Sequence, residues 1–246
     1  MELLWPLEVA SFVAASPVLR LPAGGDGHPV LVLPGFTADD ASTVALRWSI
    51  RGQGYSTHAW RLGRNIGPTT AIVAGIRSRL GELAERHERA VSIVGWSLGG
   101  TYARELARER PDLVRQVISL GSPYRMVAGD ESSAQSVWRM YQHLHDSDLG
   151  LGRIAEEDRP RLTVAATSIY SRRDGVAPWQ TCIDEVGPMR ENIEVYGSHA
   201  ALGAHPAVAF AVLDRLRLPE GDWRPFRPPC ALRPWYPRPM SWHARV

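Results

Sequence analysis

Short apolar runs alternate with longer amphipathic segments along most of the chain. The runs are rich in β-branched residues and bounded by glycine, proline or polar residues, which is typical of buried strands. The predicted strands are 30–33, 56–62, 91–94, 113–120, 162–170 and 191–196, and the predicted helices are 39–51, 69–87, 101–108 and 207–216. This alternation predicts an α/β protein with a doubly wound, mostly parallel sheet and right-handed crossovers.

The pattern changes between residues 125 and 161, where a polar segment contains the helical stretch Ser133 to His145. We interpret this insertion as a small helical cap over the carboxyl ends of the strands. Its apolar and aromatic residues either line and gate a substrate pocket or only anchor the cap. The predicted pocket residues, which include two from the neighbouring strand ends, are Trp96, Tyr124, Met126, Trp138 and Tyr141.

The two ends of the chain differ from the body, residues 24–218. Residues 1–23 begin with an apolar stretch that lacks a basic start and carries Glu2, Pro6 and Glu8, so it is not a convincing signal peptide. We expect a helix that packs on the domain or lies on a membrane surface. The tail, residues 219–246, is rich in proline, arginine and tryptophan and is expected to lie extended over the body.

Composition excludes several classes of protein. A chain of 246 residues with 44% hydrophobic residues suits one globular domain, and a net charge of +2 gives no reason to expect a nucleic acid partner. All 28 basic residues are arginines. Cys182 and Cys230 form no disulfide framework, which is compatible with a reducing compartment. We therefore expect a cytoplasmic protein, free or peripheral to the membrane; its oligomeric state is left open.

A G-x-S-x-G motif, formed by Gly95, Ser97 and Gly99, joins a predicted strand to a predicted helix. This context is the one that a nucleophile elbow requires, because a sharp turn there directs the serine hydroxyl away from the sheet. The alternative, a merely flexible turn, does not explain the flanking elements. The turn also places the Leu98 N–H at a helix N-terminus, where it would stabilise an oxyanion.

A second oxyanion donor is predicted after the first strand. Residues Pro34 to Phe36 follow strand 30–33, and the glycine between them permits a tight turn. The Phe36 N–H is then expected to point at the same space as the Leu98 N–H, as acyl transfer requires.

A serine nucleophile needs a histidine base and a carboxylate that orients it. Asp174 and His199 each follow a predicted strand, and with Ser97 they give the order Ser, Asp, His. Asp184 is a weaker candidate because we expect it within a helical stretch. His205 precedes Pro206 at a helix start and is expected to be a capping or surface residue. No cluster with metal-ligand spacing is present, so no metal or other cofactor is predicted.

Four stretches of the sequence resemble the α/β-hydrolase superfamily, and within it they are similar to the minimal bacterial lipases and esterases. The matching stretches are residues 30–36, 92–101, 167–175 and 195–202. The resemblance implies Ser97 as nucleophile, His199 as base, Asp174 as its orienting partner, and the amides of Phe36 and Leu98 as the oxyanion hole. Pro34 departs from the histidine that many relatives carry before the glycine, a position that supports the loop.

The predicted function is hydrolysis of carboxylic esters, either of small molecules or of lipids. Because one triad serves many reactions, an acyltransferase or a thioesterase remains an alternative. A further alternative is a non-catalytic binding protein on the same scaffold, which the retention of all three triad residues disfavours.

Overall fold

A computed structural model describes residues 24–126, 132–145 and 154–242. The helix predicted for residues 1–23, parts of the predicted cap and the last four residues of the tail lie outside the described residues.

Six parallel strands form one sheet. They are β1 (Pro29–Leu33), β2 (Ser56–Ala59), β3 (Val91–Trp96), β4 (Val114–Leu120), β5 (Ala165–Tyr170) and β6 (Arg190–Glu194). Their order across the sheet is β2-β1-β3-β4-β5-β6, and every neighbouring pair is parallel. The predicted doubly wound sheet is confirmed. Because the strands are parallel, the carboxyl ends of the central strands gather at one edge of the sheet.

Helices cover both faces of the sheet. They are α1 (Val44–Gly52), α2 (Thr70–His87), α3 (Leu98–Glu109), α4 (Gln135–Tyr141) and α5 (Pro206–Leu216). Successive side chains of β1 point to opposite faces of the sheet, so the core has two parts. Leu31 and Leu33 pack with α2 and α3 on one face, and Val30 and Val32 pack with α1 and α5 on the other. Among the described residues, no helix combines the length and apolar character needed to cross a bilayer.

Side-chain caps explain where two helices begin. The Thr69 hydroxyl accepts a hydrogen bond from the Ile72 N–H at 3.2 Å and starts α2. His205 acts in the same way at α5, because its Nδ1 accepts from the Ala207 N–H at 3.2 Å while Pro206 occupies the first turn. The predicted capping role of His205 is confirmed.

The second strand is shorter than the apolar pattern indicates. The Asp40 carboxylate accepts the backbone N–H groups of Trp60 and Arg61, both at 3.1 Å, so these residues leave the strand direction after Ala59. A side-chain acceptor twenty residues away cannot be recognised from local periodicity, which is why the prediction extended the strand to residue 62.

The described part of the tail packs against the body. The Phe226 ring contacts the rings of Phe210 and Tyr236, and its N–H donates to the buried Glu191 carboxylate at 2.7 Å. The Tyr236 hydroxyl donates to the Ala207 carbonyl at 2.7 Å. These contacts lay the tail over α5 and the start of β6.

Replacing Phe226 with alanine should lower the free energy of unfolding by about 2 to 3 kcal/mol, because a half-buried aromatic ring leaves a cavity over α5. Arg227→Ala is the matched control, since this neighbouring side chain is exposed, and it should change stability by less than about 0.5 kcal/mol. Urea unfolding followed by circular dichroism measures both. Equal stabilities of the two variants would show that the tail is not part of the folded unit.

Candidate active site

Ser97 lies in the sharp turn between β3 and α3 with a backbone φ of 52° and ψ of −123°. A positive φ is strained for a residue with a side chain, and such strain persists only where the surroundings enforce it. Here the Ser97 N–H donates to the Leu120 carbonyl of β4 at 2.8 Å. The turn has the strand–turn–helix geometry of a nucleophile elbow, with Ser97 at its tip.

The two glycines of the motif allow this turn because it brings backbone against backbone. A Cβ placed on Gly99 would lie 2.5 Å from the Leu33 carbonyl oxygen and 2.8 Å from that of Pro34. A Cβ on Gly95 would meet the backbone of Gly99 and Gly100. Any side chain at either position would therefore push α3 away from the sheet.

Asp174 and His199 form a buried pair. The His199 Nδ1 lies 2.6 Å from Asp174 Oδ2, and the two side chains are 8% and 1% exposed respectively. The other carboxylate oxygen of Asp174 accepts the N–H groups of Val176 and Ala177, each at 2.8 Å. The carboxylate is thus fixed on one side by the backbone and faces Nδ1 of the imidazole on the other, so this contact sets the orientation of the His199 ring.

Gly121, after β4, and Trp96, at the end of β3, both lie against the Asp174–His199 pair. Gly121, directly after β4, has a φ of 53°, and a Cβ there would lie 3.1 Å from Asp174 Oδ2 and 3.3 Å from His199 Nδ1. Trp96, directly before Ser97, donates its indole N–H to the His199 carbonyl at 3.2 Å. The structure therefore brings the loops that carry Ser97, Asp174 and His199 to the same edge of the sheet.

The loop with the predicted oxyanion donor packs against Ser97. A Cβ on Gly35 would lie 3.2 Å from the Ser97 Cβ, so the loop after β1 passes directly beside the elbow. Leu98 is the first residue of α3, and the first N–H groups of a helix have no acceptor within it. Phe36, on the loop after β1, and Leu98, at the start of α3, thus lie on two segments that meet at Ser97.

Asn65, a residue that sequence reasoning passed over, holds this loop in place. Its side chain is fully buried, and the side-chain NH₂ donates to the Pro34 carbonyl at 3.0 Å. The backbone carbonyl of Asn65 accepts the Thr37 N–H at 2.7 Å. The Asn65 side-chain oxygen accepts from the Gly67 N–H and the Tyr102 hydroxyl. Its position in a turn-rich segment after β2 was the only signal in the sequence.

The described residues of the predicted cap lie against the same loop. The Phe36 ring lies 5.2 Å from the Trp138 ring and 6.1 Å from the Tyr141 ring, measured between centroids. Trp138 in turn contacts His145, whose Nε2 lies 2.9 Å from the Ile66 carbonyl. Burial lowers the pKa of His145. Two of the predicted pocket residues thus lie beside Phe36.

The other predicted pocket residues occupy different surroundings. Trp96 packs against the loop after β6, as described above. The Tyr124 hydroxyl lies 2.8 Å from the Ser168 Oγ, and the Arg104 guanidinium sits 3.8 Å from the centre of its ring. These contacts place Tyr124 in the buried interior, apart from Trp138. Met126 follows at the edge of the described residues, where its N–H donates to the Pro123 carbonyl.

Asp184, the competing carboxylate, is not in the helix expected for it. It lies beyond a short 3₁₀ turn (Trp179–Cys182), is 2% exposed, and pairs with Arg104 at 2.9 Å and Arg125 at 3.1 Å. Burial alone would raise the pKa of Asp184, but these arginines lower it. Asp184 therefore stabilises a buried charge network, and its carboxylate is engaged away from His199.

Taken together, the structure places three predicted site residues on neighbouring loops at one edge of the sheet. Ser97 lies at a strained turn, and the His199 imidazole is paired with the Asp174 carboxylate on the loops after β6 and β5. The loop that carries Phe36 passes beside Ser97.

No protein-family model and no curated protein matches the sequence. Solved structures do match. One is a monoacylglycerol lipase from Paleococcus ferrophilus, with 15% identity over 77% of this chain and 93% of that chain and a TM-score of 0.56. Another comes from a study of the metagenome-derived lipolytic enzymes LipS and LipT, with 20% identity over 80% of this chain and 98% of that chain and a TM-score of 0.60. The Bacillus licheniformis lipase BlEst2 is also similar, with 14% identity over 80% of this chain and 93% of that chain and a TM-score of 0.54. At these identities the likeness concerns the fold, and it confirms the predicted α/β-hydrolase fold.

Exchanging Gly99 for alanine should destabilise the protein by about 3 kcal/mol, because the new methyl group meets two backbone carbonyls that have no room to move. Gly81→Ala is the matched control. A Cβ at Gly81, in the interior of α2, meets nothing within 4 Å, so this exchange should stabilise by about 0.5 to 1 kcal/mol. Urea denaturation measures the free energy of unfolding of both variants. Equal changes in the two would contradict the close backbone approach at Gly99.

Proposed function

We propose that the protein is a serine hydrolase that cleaves carboxylic esters of small molecules or lipids. The observation that carries the proposal is the buried Asp174–His199 pair on the same sheet edge as the strained Ser97. The lipases and lipolytic enzymes with the same fold support the reaction class.

In the first step Ser97 Oγ attacks the ester carbonyl while His199 Nε2 takes the hydroxyl proton. The imidazolium that forms is stabilised by the Asp174 carboxylate, whose second oxygen stays on the backbone N–H groups of Val176 and Ala177. Since both side chains are almost fully buried, this charge interaction is weakly screened.

The negative charge on the former carbonyl oxygen is accepted by the N–H groups of Phe36 and Leu98. His199 then passes its proton to the leaving alcohol, and the tetrahedral intermediate collapses to an acyl ester on Ser97. Water, deprotonated by His199, attacks this ester and releases the carboxylic acid. Every step uses residues of the chain itself, and the proton returns to Ser97 at the end.

The acyl group is expected to lie between the elbow and the cap, where Trp138 and Tyr141 offer apolar surface beside Phe36. This surface would favour esters with apolar acyl chains over small polar ones.

A fluorophosphonate probe should label the protein, and labelling should disappear in Ser97→Ala because only the activated hydroxyl reacts. Turnover of p-nitrophenyl esters should fall by a factor of about 10⁴ or more in the same variant. Ser78→Ala, an exposed serine on α2, is the matched control and should keep both properties. An unlabelled wild-type protein that is folded by circular dichroism would refute the hydrolase and favour the binding protein on a hydrolase scaffold.

Asn65→Asp should lower kcat by about ten- to a hundredfold and leave KM nearly unchanged, because an acceptor facing the Pro34 carbonyl displaces the oxyanion loop. The pH profile should keep its shape, since the Asp174–His199 pair is untouched. Tyr102→Phe is the control: it removes only the bond to the Asn65 side-chain oxygen and should stay close to wild type. Steady-state kinetics on variants with native melting curves decide this, and a change confined to KM would contradict a positioning role.

A further inference from the structure

A cleft of about 480 Å³ lies along the outer edge of the sheet, beside the edge strand β2. It is walled by α1, by the four residues of β2 and by α2. Five arginines and no acidic residue line it: Arg47, Arg51, Arg61, Arg79 and Arg86. None of the residues proposed for ester hydrolysis belongs to this cleft.

Three of these arginines have no ion-pair partner among the described residues. Arg47 donates instead to the Thr43 hydroxyl at 3.2 Å and to the Asp40 carbonyl at 2.6 Å. Arg51 donates to the hydroxyl and the carbonyl of Thr57 at 3.3 and 3.4 Å. Neutral oxygens therefore hold the guanidinium groups of Arg47 and Arg51 in position without neutralising their charge. The third arginine without an ion pair in the described part of the chain is Arg61.

Arg79 forms the buried inner wall and is only 6% exposed. Its Nη1 pairs with Glu82 at 2.6 Å and its Nε donates to the Ala59 carbonyl at 3.3 Å, but its Nη2 is buried with no hydrogen-bond partner in the described part of the chain. Glu82 also pairs with Arg86. One carboxylate is thus shared by two guanidinium groups, and a buried donor lacks an acceptor, which is unfavourable unless a ligand supplies one.

Two histidines, His58 and His87, lie beside these arginines, and His58 itself lines the cleft. His58 Nε2 lies 3.0 Å from His87 Nε2, and burial, followed by the charges of His87, Arg79, Arg86 and Arg61, lowers the pKa of His58 to about 4. Arg61, Arg79 and Arg86 line the same cleft as His58, so their positive charges act on its ring.

Another charged cavity, of about 310 Å³, provides a comparison. It is lined by six arginines, but also by Glu156, Glu157, Asp184 and Glu185. Arg104 and Arg125 there pair directly with these acids. In that cavity acidic residues line the walls beside the arginines, whereas the β2 cleft has arginines and no acidic lining residue.

Protection of the edge strand explains only part of the cluster. Edge strands are commonly covered by charged side chains, and Arg51 and Arg79 do reach the carbonyls of Thr57 and Ala59. Two arginines suffice for that, and Arg47, Arg61 and Arg86 do not take part in it.

We propose that this cleft binds a phosphate group. Guanidinium groups that line one cleft from α1, α2 and the end of β2 suit a ligand with several anionic oxygens, because guanidinium groups bind such oxygens through paired N–H donors. The phosphate belongs either to a free phosphorylated small molecule or to a lipid headgroup. Trp48 and Val44 on the outer side of α1 are 67% and 53% exposed, which places apolar surface next to Arg47 and Arg51 for the second source.

Isothermal titration of the full chain with pyrophosphate at constant ionic strength tests the site. Binding should weaken at least tenfold in Arg51→Gln/Arg86→Gln. The double variant Arg227→Gln/Arg238→Gln removes the same net charge from exposed tail positions and should bind like wild type. If wild type fails to bind, or if both double variants bind alike, the proposal is wrong. Neither outcome bears on ester hydrolysis, which is measured separately.

Co-sedimentation with vesicles distinguishes the two sources. If the phosphate is a lipid headgroup, phosphatidylcholine vesicles that contain phosphatidic acid should retain the protein, and Trp48→Ala should reduce retention severalfold without changing pyrophosphate binding. If the ligand is a free phosphate ester, these vesicles should retain no more protein than pure phosphatidylcholine vesicles, while pyrophosphate still binds. Retention that is unaffected by Arg51→Gln/Arg86→Gln would contradict a role for the cleft at lipid surfaces.

Discussion

The active edge of the sheet depends on the close contact between the start of α3 and the end of β1. Gly99 lies so near the carbonyls of Leu33 and Pro34 that no side chain fits between them. This contact fixes the angle at which the chain leaves β3, keeps Ser97 at a positive φ, and brings the loop after β1 beside the serine. A single backbone approach therefore sets the positions of Ser97 and of both expected oxyanion donors at the same time.

The remaining groups reach this edge because the sheet is parallel throughout. Asp174 and His199 follow β5 and β6, whose carboxyl ends lie on the same side as that of β3. The carboxylate is satisfied by two backbone N–H groups and the imidazole, so its burial leaves none of its oxygens unpaired. Gly121 then supplies the space at the end of β4 in which the pair packs.

The sequence was sufficient for features that depend on local order and insufficient for those that depend on distant partners. The strand pattern and the elbow motif predicted the sheet and the turn at Ser97, because periodicity and glycine positions are local signals. Asn65 was missed because its function comes from bonds to Pro34 and Tyr102, far away in sequence. Asp184 was misplaced for the same reason: its ion pair with Arg104 spans eighty residues and holds it outside any helix.

The position of the cap links substrate binding with catalysis in the proposed enzyme. Trp138 and Tyr141 touch the ring of Phe36, whose backbone N–H is the expected oxyanion donor, and His145 extends the contact to the loop of Asn65. A bound acyl chain that displaces α4 would therefore act on the loop that Asn65 holds. The two hydrogen bonds of Asn65 to Pro34 and Thr37 oppose such a displacement. In the proposed enzyme Asn65 would therefore keep the expected oxyanion donor in place when the predicted cap contacts the acyl group.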